Sequence, residues 1–321
     1  MGCDYLLLNL FAGISVNELL HRFESSYTKK ILLEAVDLFN QLWPYVILGI
    51  FLSTIIKIYI SKTWFINFFK NRSNSSILIA SLFGVLSPLG SYVVIPIAAA
   101  LTITGVPVYI LMAFLVSSPI INPSLFTLTA GAFNLEMALA RALSAFIIGI
   151  SAGYITKWMM NSGKLNVTDL VNKNYRIINY DAVNESKMTL TLFLKEMYRF
   201  AVFISKFFFL SILLAAIIKI LVSPNYIVRI FSPNSILSVI ISTGAGVPFY
   251  VCGGAAIPVV QSLAELGLQK GAVLAYFISG PVTKISNLVI MNSAFNFKLF
   301  LVYLTTGIVG AIVFGILYNI I

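Results

Sequence analysis

Two side chains in this sequence stand in surroundings that invite chemistry, a thiol and an ammonium group. Cys252 lies in Pro248-Phe249-Tyr250-Val251-Cys252-Gly253-Gly254-Ala255-Ala256-Ile257-Pro258, beside two glycines that let backbone or a solute approach closely. Thiolate is the soft ligand among side chains, so this position suits a soft metal or metalloid; the alternative is a cysteine serving as a small buried hydrophobe. Lys284 lies in Ser279-Gly280-Pro281-Val282-Thr283-Lys284-Ile285-Ser286-Asn287. An ionised lysine far from a membrane surface costs ~3 kcal/mol or more unless it faces a cavity or a partner. It can act as counter-ion to an anion, as a group that gains and loses a proton, or as a donor to the carbonyls of a broken helix.

Both segments belong to a pattern that occurs twice. Residues 84–134 align without a gap on 246–296, always 162 positions apart, and 13 of the 51 pairs are identical. The identities include Gly84/Gly246, Pro96/Pro258, Gly105/Gly267, Ser117/Ser279, Pro119/Pro281 and Asn134/Asn296. Each copy is an apolar stretch interrupted twice by helix-breaking residues. In a membrane protein, paired and interrupted segments in two halves point to a solute pathway. The position matching Lys284 is Asn122, so the two half-sites differ chemically.

Composition sets the solvent. Of 321 residues, 59% are hydrophobic and 10% charged, with a mean hydropathy of +0.96, which excludes a soluble globular domain and implies an integral membrane protein. The net charge of +10 gathers at the ends of apolar segments (Lys57, Lys62, Lys70, Arg72; Lys157, Lys164, Lys173, Arg176). That placement follows from anchoring at an anionic inner leaflet, not from nucleic-acid binding. Two cysteines, Cys3 and Cys252, do not make a disulfide framework.

The elements that must position these residues follow from the apolar runs. Residues 1–38 read as an N-terminal interfacial segment, 39–158 as transmembrane repeat 1, 159–189 as a polar cytoplasmic connector and 190–321 as transmembrane repeat 2. Within the repeats, 76–104, 107–133, 235–262 and 270–295 are broken segments, whereas 39–60, 137–158, 198–222 and 298–320 are continuous spans. Basic residues follow the first span of the first half but open the first span of the second (Lys187, Lys195, Arg199), so the repeats are expected to have inverted topology. The expected fold is an all-α polytopic membrane protein, its discontinuous or re-entrant helices meeting near the midplane. The breaks are assigned to Pro88, Pro96, Pro119, Pro123, Pro248, Gly253, Gly254, Pro258, Gly280 and Pro281. Asn134 and Asn296 are expected to cap the helices that follow them, and Glu136 and Glu265 to be loop or interfacial residues.

Unwound backbone in lipid leaves N–H and C=O groups that cost several kcal/mol each by order of magnitude, so breaks survive where they face protein or a water-filled cavity. The candidate substrate-binding residues are therefore those at the breaks: Cys252, Lys284, Asn122, Ser91, Gly90, Tyr250, Thr283 and Ser118.

Ser118-Pro119-Ile120-Ile121-Asn122-Pro123, Val247-Pro248-Phe249-Tyr250-Val251-Cys252 and Gly280-Pro281-Val282-Thr283-Lys284 resemble the bacterial and archaeal predicted-permease family that includes organoarsenical efflux permeases. The resemblance covers most of 35–321. It implies efflux of small solutes such as trivalent organoarsenicals by alternating access, with thiol coordination of arsenic. Family members often carry a cysteine at the first break, where this chain has Gly90-Ser91-Tyr92, which leaves Cys252 without a second thiol there. The competing reading is a carrier or channel for an anion or sulfur-containing metabolite using Lys284. An intramembrane enzyme is the remote one: the spans hold no histidine and no acidic pair, and Ser286 near Lys284 has no supporting motif. No catalytic residue, metal or cofactor is expected. The expected partners are a small-molecule or ion substrate and membrane lipids at the cell membrane, not nucleic acid, with a homo-oligomer left open.

Overall fold

From residue 16 to residue 43 the chain contains no glycine or proline, and nothing there interrupts a helix. In the computed structural model, which describes residues 16–59, 75–87, 94–95, 98–99, 101–102, 105–165, 170, 190–221, 235–250 and 253–320, this stretch opens helix α1, Val16–Tyr59. The helix passes through residue 38, where the sequence divides an interfacial segment from a first span. Ten further long helices are described: α2 Ser75–Leu86, α3 Val108–Ile120, α4 Pro123–Ala132, α5 Leu135–Asn161, α6 Leu190–Leu221, α7 Ser235–Phe249, α8 Gly253–Glu265, α9 Lys270–Thr283, α10 Ile285–Ala294 and α11 Phe297–Ile320.

Among the described residues, four stretches are long and apolar enough to cross a membrane: Tyr27–Leu52, Val108–Ala132, Leu135–Asn161 and Phe297–Ile320. The bent pair α9 and α10, at 44°, forms a fifth. Helix α5 shows which solvent it meets. Leu135, Leu139, Leu143, Ile147, Tyr154 and Trp158 are exposed, while Ser144, Ala145, Gly149, Ala152 and Gly153 are buried. Bulky apolar residues outside and small ones inside are what lipid-immersed helices need, since small residues let backbones approach. An all-helical set of apolar elements of this kind fits a polytopic membrane protein.

Helices α2, α3 and α5 pack together, as do α7, α9 and α11, and the two groups meet through α3, α5, α9 and α11; helices α1, α4, α6 and α8 pack on one another, and α10 packs on α9 and α11. Many local details recur 162 residues apart. The starts of α3, α4 and α5 at 108, 123 and 135 correspond to those of α9, α10 and α11 at 270, 285 and 297. Gly105 and Gly267 have φ of 90° and 110°, a left-handed conformation that suits glycine. Each ends a helix the same way: Val106 N–H donates to the Leu101 carbonyl at 3.1 Å, and Leu268 N–H to the Leu263 carbonyl at 3.0 Å. The Asn134 side chain accepts from Met137 N–H at 2.7 Å and that of Asn296 from Leu299 N–H at 3.0 Å, the two expected caps.

Helices in equivalent positions run antiparallel. At one end of the α5/α11 pair Tyr318 Oη donates to Glu136 Oε1 at 3.1 Å, and midway Ile148 packs on the bare backbone of Gly310. Along α1/α6, Glu34 pairs with Lys219, Phe39 meets Phe208 and Phe209, and Phe51 meets Phe193.

Pro258 needs correcting as a break, because it lies inside the continuous helix α8. Its missing N–H would have paired with the carbonyl of Gly254, in the opening turn, so the remainder of the helix continues. Pro119, Gly280 and Pro281 are also inside helices, in or at the edge of the last turn, and the interruptions follow at 121–122 and at 284. Pro123 opens α4, a position that tolerates proline because its N–H would be unpaired anyway. Pro88, Pro96, Gly90, Ser91 and Cys252 lie outside the described residues.

Asn134 is exposed, and its replacement tests the cap directly. Asn134→Ala is expected to lower stability by ~1 kcal/mol, read as a reduced thermal midpoint in detergent, with no change in solute movement.

Candidate functional site

Two helix interruptions are fully described, and each leaves carbonyls that need donors. At 121–122, the Ile120 carbonyl accepts from Arg141 Nε at 2.9 Å. At 284, the Pro281 carbonyl accepts from Asn287 Nδ2 at 2.8 Å. The same task is thus done by a cation in the first half and by a neutral amide in the second.

Arg141 is fully buried on the inner face of α5. Its Nη1 donates to Thr129 Oγ1 at 2.9 Å, and Thr129 in turn donates to the Leu125 carbonyl at 2.6 Å. The guanidinium lies over the ring of Phe277, 4.5 Å from its centroid, and beside the Tyr250 side chain. Phe277 and Tyr250 come from the second half of the chain, so this one cation touches the first-half break, helix α9 and the end of α7. Its Nη2 has no hydrogen-bond partner within 3.5 Å, although the guanidinium interacts electrostatically with the Tyr250 side chain, and among the described residues no carboxylate pairs with it.

Tyr250 follows α7 directly and is buried. Its ring rests on Gly280, where even a methyl group would collide with it, and stands 6.0 Å from Tyr276. Phe133 meets Phe277 edge-on at 5.7 Å. An aromatic wall therefore encloses the guanidinium on the side of the second half.

The remaining expected residues are dispersed. Asn122 is the N-cap of α4, accepting from Leu125 N–H at 2.9 Å. Thr283 turns its hydroxyl back to the Ser279 carbonyl at 2.8 Å. Ser118 is buried and its hydroxyl has no hydrogen-bond partner. Lys284 joins α9 to α10 and is half-buried; its carbonyl accepts from Asn287 N–H at 2.8 Å and Leu288 N–H at 3.0 Å, while its ammonium group makes no ion pair or hydrogen bond among the described residues. Gly254 approaches the Leu128 side chain, bringing α8 towards α4. No hydrogen bond joins Asn122 to Lys284, although they hold equivalent places.

A second polar cluster links α1, α6 and α8. Lys219 pairs with Glu34 and, at 2.6 Å, with Glu265, while Gln261 Nε2 donates to Gln41 Oε1 at 3.1 Å. Glu265, expected at a loop or interface, ends α8 and is one arm of this ion pair.

Sequence reasoning passed over Arg141 because a charge seven residues after Asn134 reads as the edge of a span. Its periodicity was the available signal. Met137, Arg141, Ser144, Ala145, Ile148 and Ala152 share one helical face, the inward one, and a charge inside a membrane span on that face marks a functional position by default.

The profile of a protein family described as "predicted permease" matches residues 30–320. The UPF0718 protein YcgR of Bacillus subtilis (strain 168) is 24% identical over 287 residues, covering 89% of this chain and 92% of that protein. A putative two-component membrane permease complex subunit of Streptococcus mutans is 23% identical over 286 residues, covering 86% and 91%. The UPF0718 protein YraQ of Escherichia coli (strain K12) is 19% identical over 284 residues, covering 88% and 79%. No solved structure matches the chain.

Proposed function

The chain belongs to the predicted-permease family, and from that premise we propose that it is a multi-pass permease of the cell membrane that moves a small solute past the Arg141–Tyr250 junction. The observation that carries this reading is a buried cation that caps the helix break at 121–122 and is covered by Phe277 and Tyr250 from the second half of the chain. Inverted repeats are part of the proposal. They are supported by helix starts recurring at the same spacing and by equivalent helices, α5 with α11 and α1 with α6, running antiparallel. Alternating access then amounts to rocking one half against the other around the junction.

Trivalent organoarsenicals are the proposed exported solute. The support is the family resemblance and the position of Cys252, two residues after the Tyr250 that adjoins Arg141. An anionic solute is the second reading, favoured by the positive charge of Arg141 and by Lys284. The name of the streptococcal relative, a subunit of a two-component complex, supports looking for a second component beside this chain.

The test is uptake of a trivalent methyl- or phenylarsenical into everted vesicles. The intact protein is expected to accumulate it, Cys252→Ser to abolish accumulation, and Lys284→Ala to leave most of it. No uptake by intact, folded protein overturns the arsenical reading; loss on Lys284→Ala with survival in Cys252→Ser moves the assignment to an anion.

A further inference from the structure

We propose that the free Nη2 arm of Arg141 is the recognition point for a small oxyanion, a solute offering one charged oxygen, at the place where the two halves of the protein meet. The inference deepens the permease reading, on which it rests for treating the anion as cargo.

The argument begins with cost. A guanidinium keeps its charge in proteins, and burying it without a counter-ion is strongly unfavourable. Arg141 is fully buried, uses Nε and Nη1 on Ile120 and Thr129, and leaves Nη2 without a partner. Capping the broken helix does not require that expense. In the second half the Pro281 carbonyl is capped by the neutral side chain of Asn287, and the position equivalent to Arg141 is Tyr303, also neutral and fully buried. The charge is therefore surplus to structure, and its surplus donor is the group that an anionic oxygen would satisfy.

The surroundings suit a ligand that shuttles between open and closed arrangements. Ile120 and Thr129 fix the guanidinium from the first half, while Phe277 and Tyr250 cover it from the second. Separation of the halves would uncover Nη2 without disturbing the bonds that orient it. An oxyanion can then bind before the halves close, and a charge-assisted hydrogen bond to it would replace an unpaired donor.

The experiment measures thermal unfolding of the purified, detergent-solubilised chain with acetate, sulfite or methylphosphonate, against equal ionic strength of chloride. At least one oxyanion is expected to raise the midpoint by several degrees at saturation, because a ligand that binds only the folded state stabilises it. The shift should vanish in Arg141→Gln and persist in Lys298→Ala, which removes an exposed lysine at the start of α11. No shift with any of the three, an equal shift with chloride, or a shift retained in Arg141→Gln overturns the proposal. If Arg141→Gln does not fold, intact protein labelled with 15N-arginine in nanodiscs decides. The stabilising oxyanion must then move one slowly exchanging guanidinium resonance, and a spectrum without such a change counts against the site. Anion binding with no flux of any solute would sink the permease reading and leave the site standing. Arsenical flux without anion binding would do the reverse.

Discussion

Arg141→Met is expected to lower solute flux by about a hundredfold, equivalent to about 2.7 kcal/mol, while leaving the purified protein as stable as the parent or slightly more stable. The separation of the two effects follows from magnitudes. Methionine removes one donor to the Ile120 carbonyl, and an orphaned buried acceptor costs ~1–3 kcal/mol. Thr129 still donates to the Leu125 carbonyl, so it is not orphaned. Against that loss stands relief of a buried, unpaired charge, a penalty of several kcal/mol. The flexible methionine stem fills the space over Phe277 that the guanidinium occupied. Flux in reconstituted vesicles and thermal unfolding of the same preparation check the result. A variant that loses both together would mean that the residue is only a brace.

Sequence rules are expected to fail where a site trades stability for function, and the proposed junction was hard to read from the sequence. Helix breaks could be read because proline and glycine announce them: the interruption at 121–122 falls within Ser117–Pro123 and the one at 284 within Ser279–Asn287. The caps at Asn134 and Asn296 were legible for the same reason, since asparagine before an apolar run supplies an acceptor to unpaired N–H groups. Pro258 misled because a proline signals a break only where the helix cannot absorb it, and α8 does. Arg141 and Asn287 escaped because capping a carbonyl 21 or 6 residues away leaves no local pattern. Which aromatic ring covers which cation is likewise a property of packing between halves, and sequence spacing carries no record of it.

Gly271→Val is expected to prevent accumulation of well-folded protein, with a loss of ~3–5 kcal/mol where any can be purified. The crossing of α9 and α11 is closer than a side chain permits. A Cβ on Gly271 would lie 2.0 Å from the Gly315 carbonyl oxygen, which is backbone and cannot swing away. Retreat of α11 would also remove Asn319, whose Oδ1 accepts from Gly271 N–H at 2.7 Å at the start of α9, where the N-cap residue Gln269 makes no capping bond of its own. The first half has a similar crossing at the equivalent places: a Cβ on Gly153 would stand 3.0 Å from the Tyr109 carbonyl oxygen, and Lys157 lies over the Tyr109 ring at 5.5 Å. There the first partner already bears a side chain, so Tyr109→Val should be far milder. Gly244→Ala supplies the control, because no atom lies within 4 Å of a Cβ built there, and removing a helical glycine should stabilise by roughly 0.5–1 kcal/mol. Thermal midpoints and size-exclusion profiles in detergent rank the variants. If Gly271→Val unfolds within a degree or two of Gly244→Ala, α9 and α11 do not approach as closely as described.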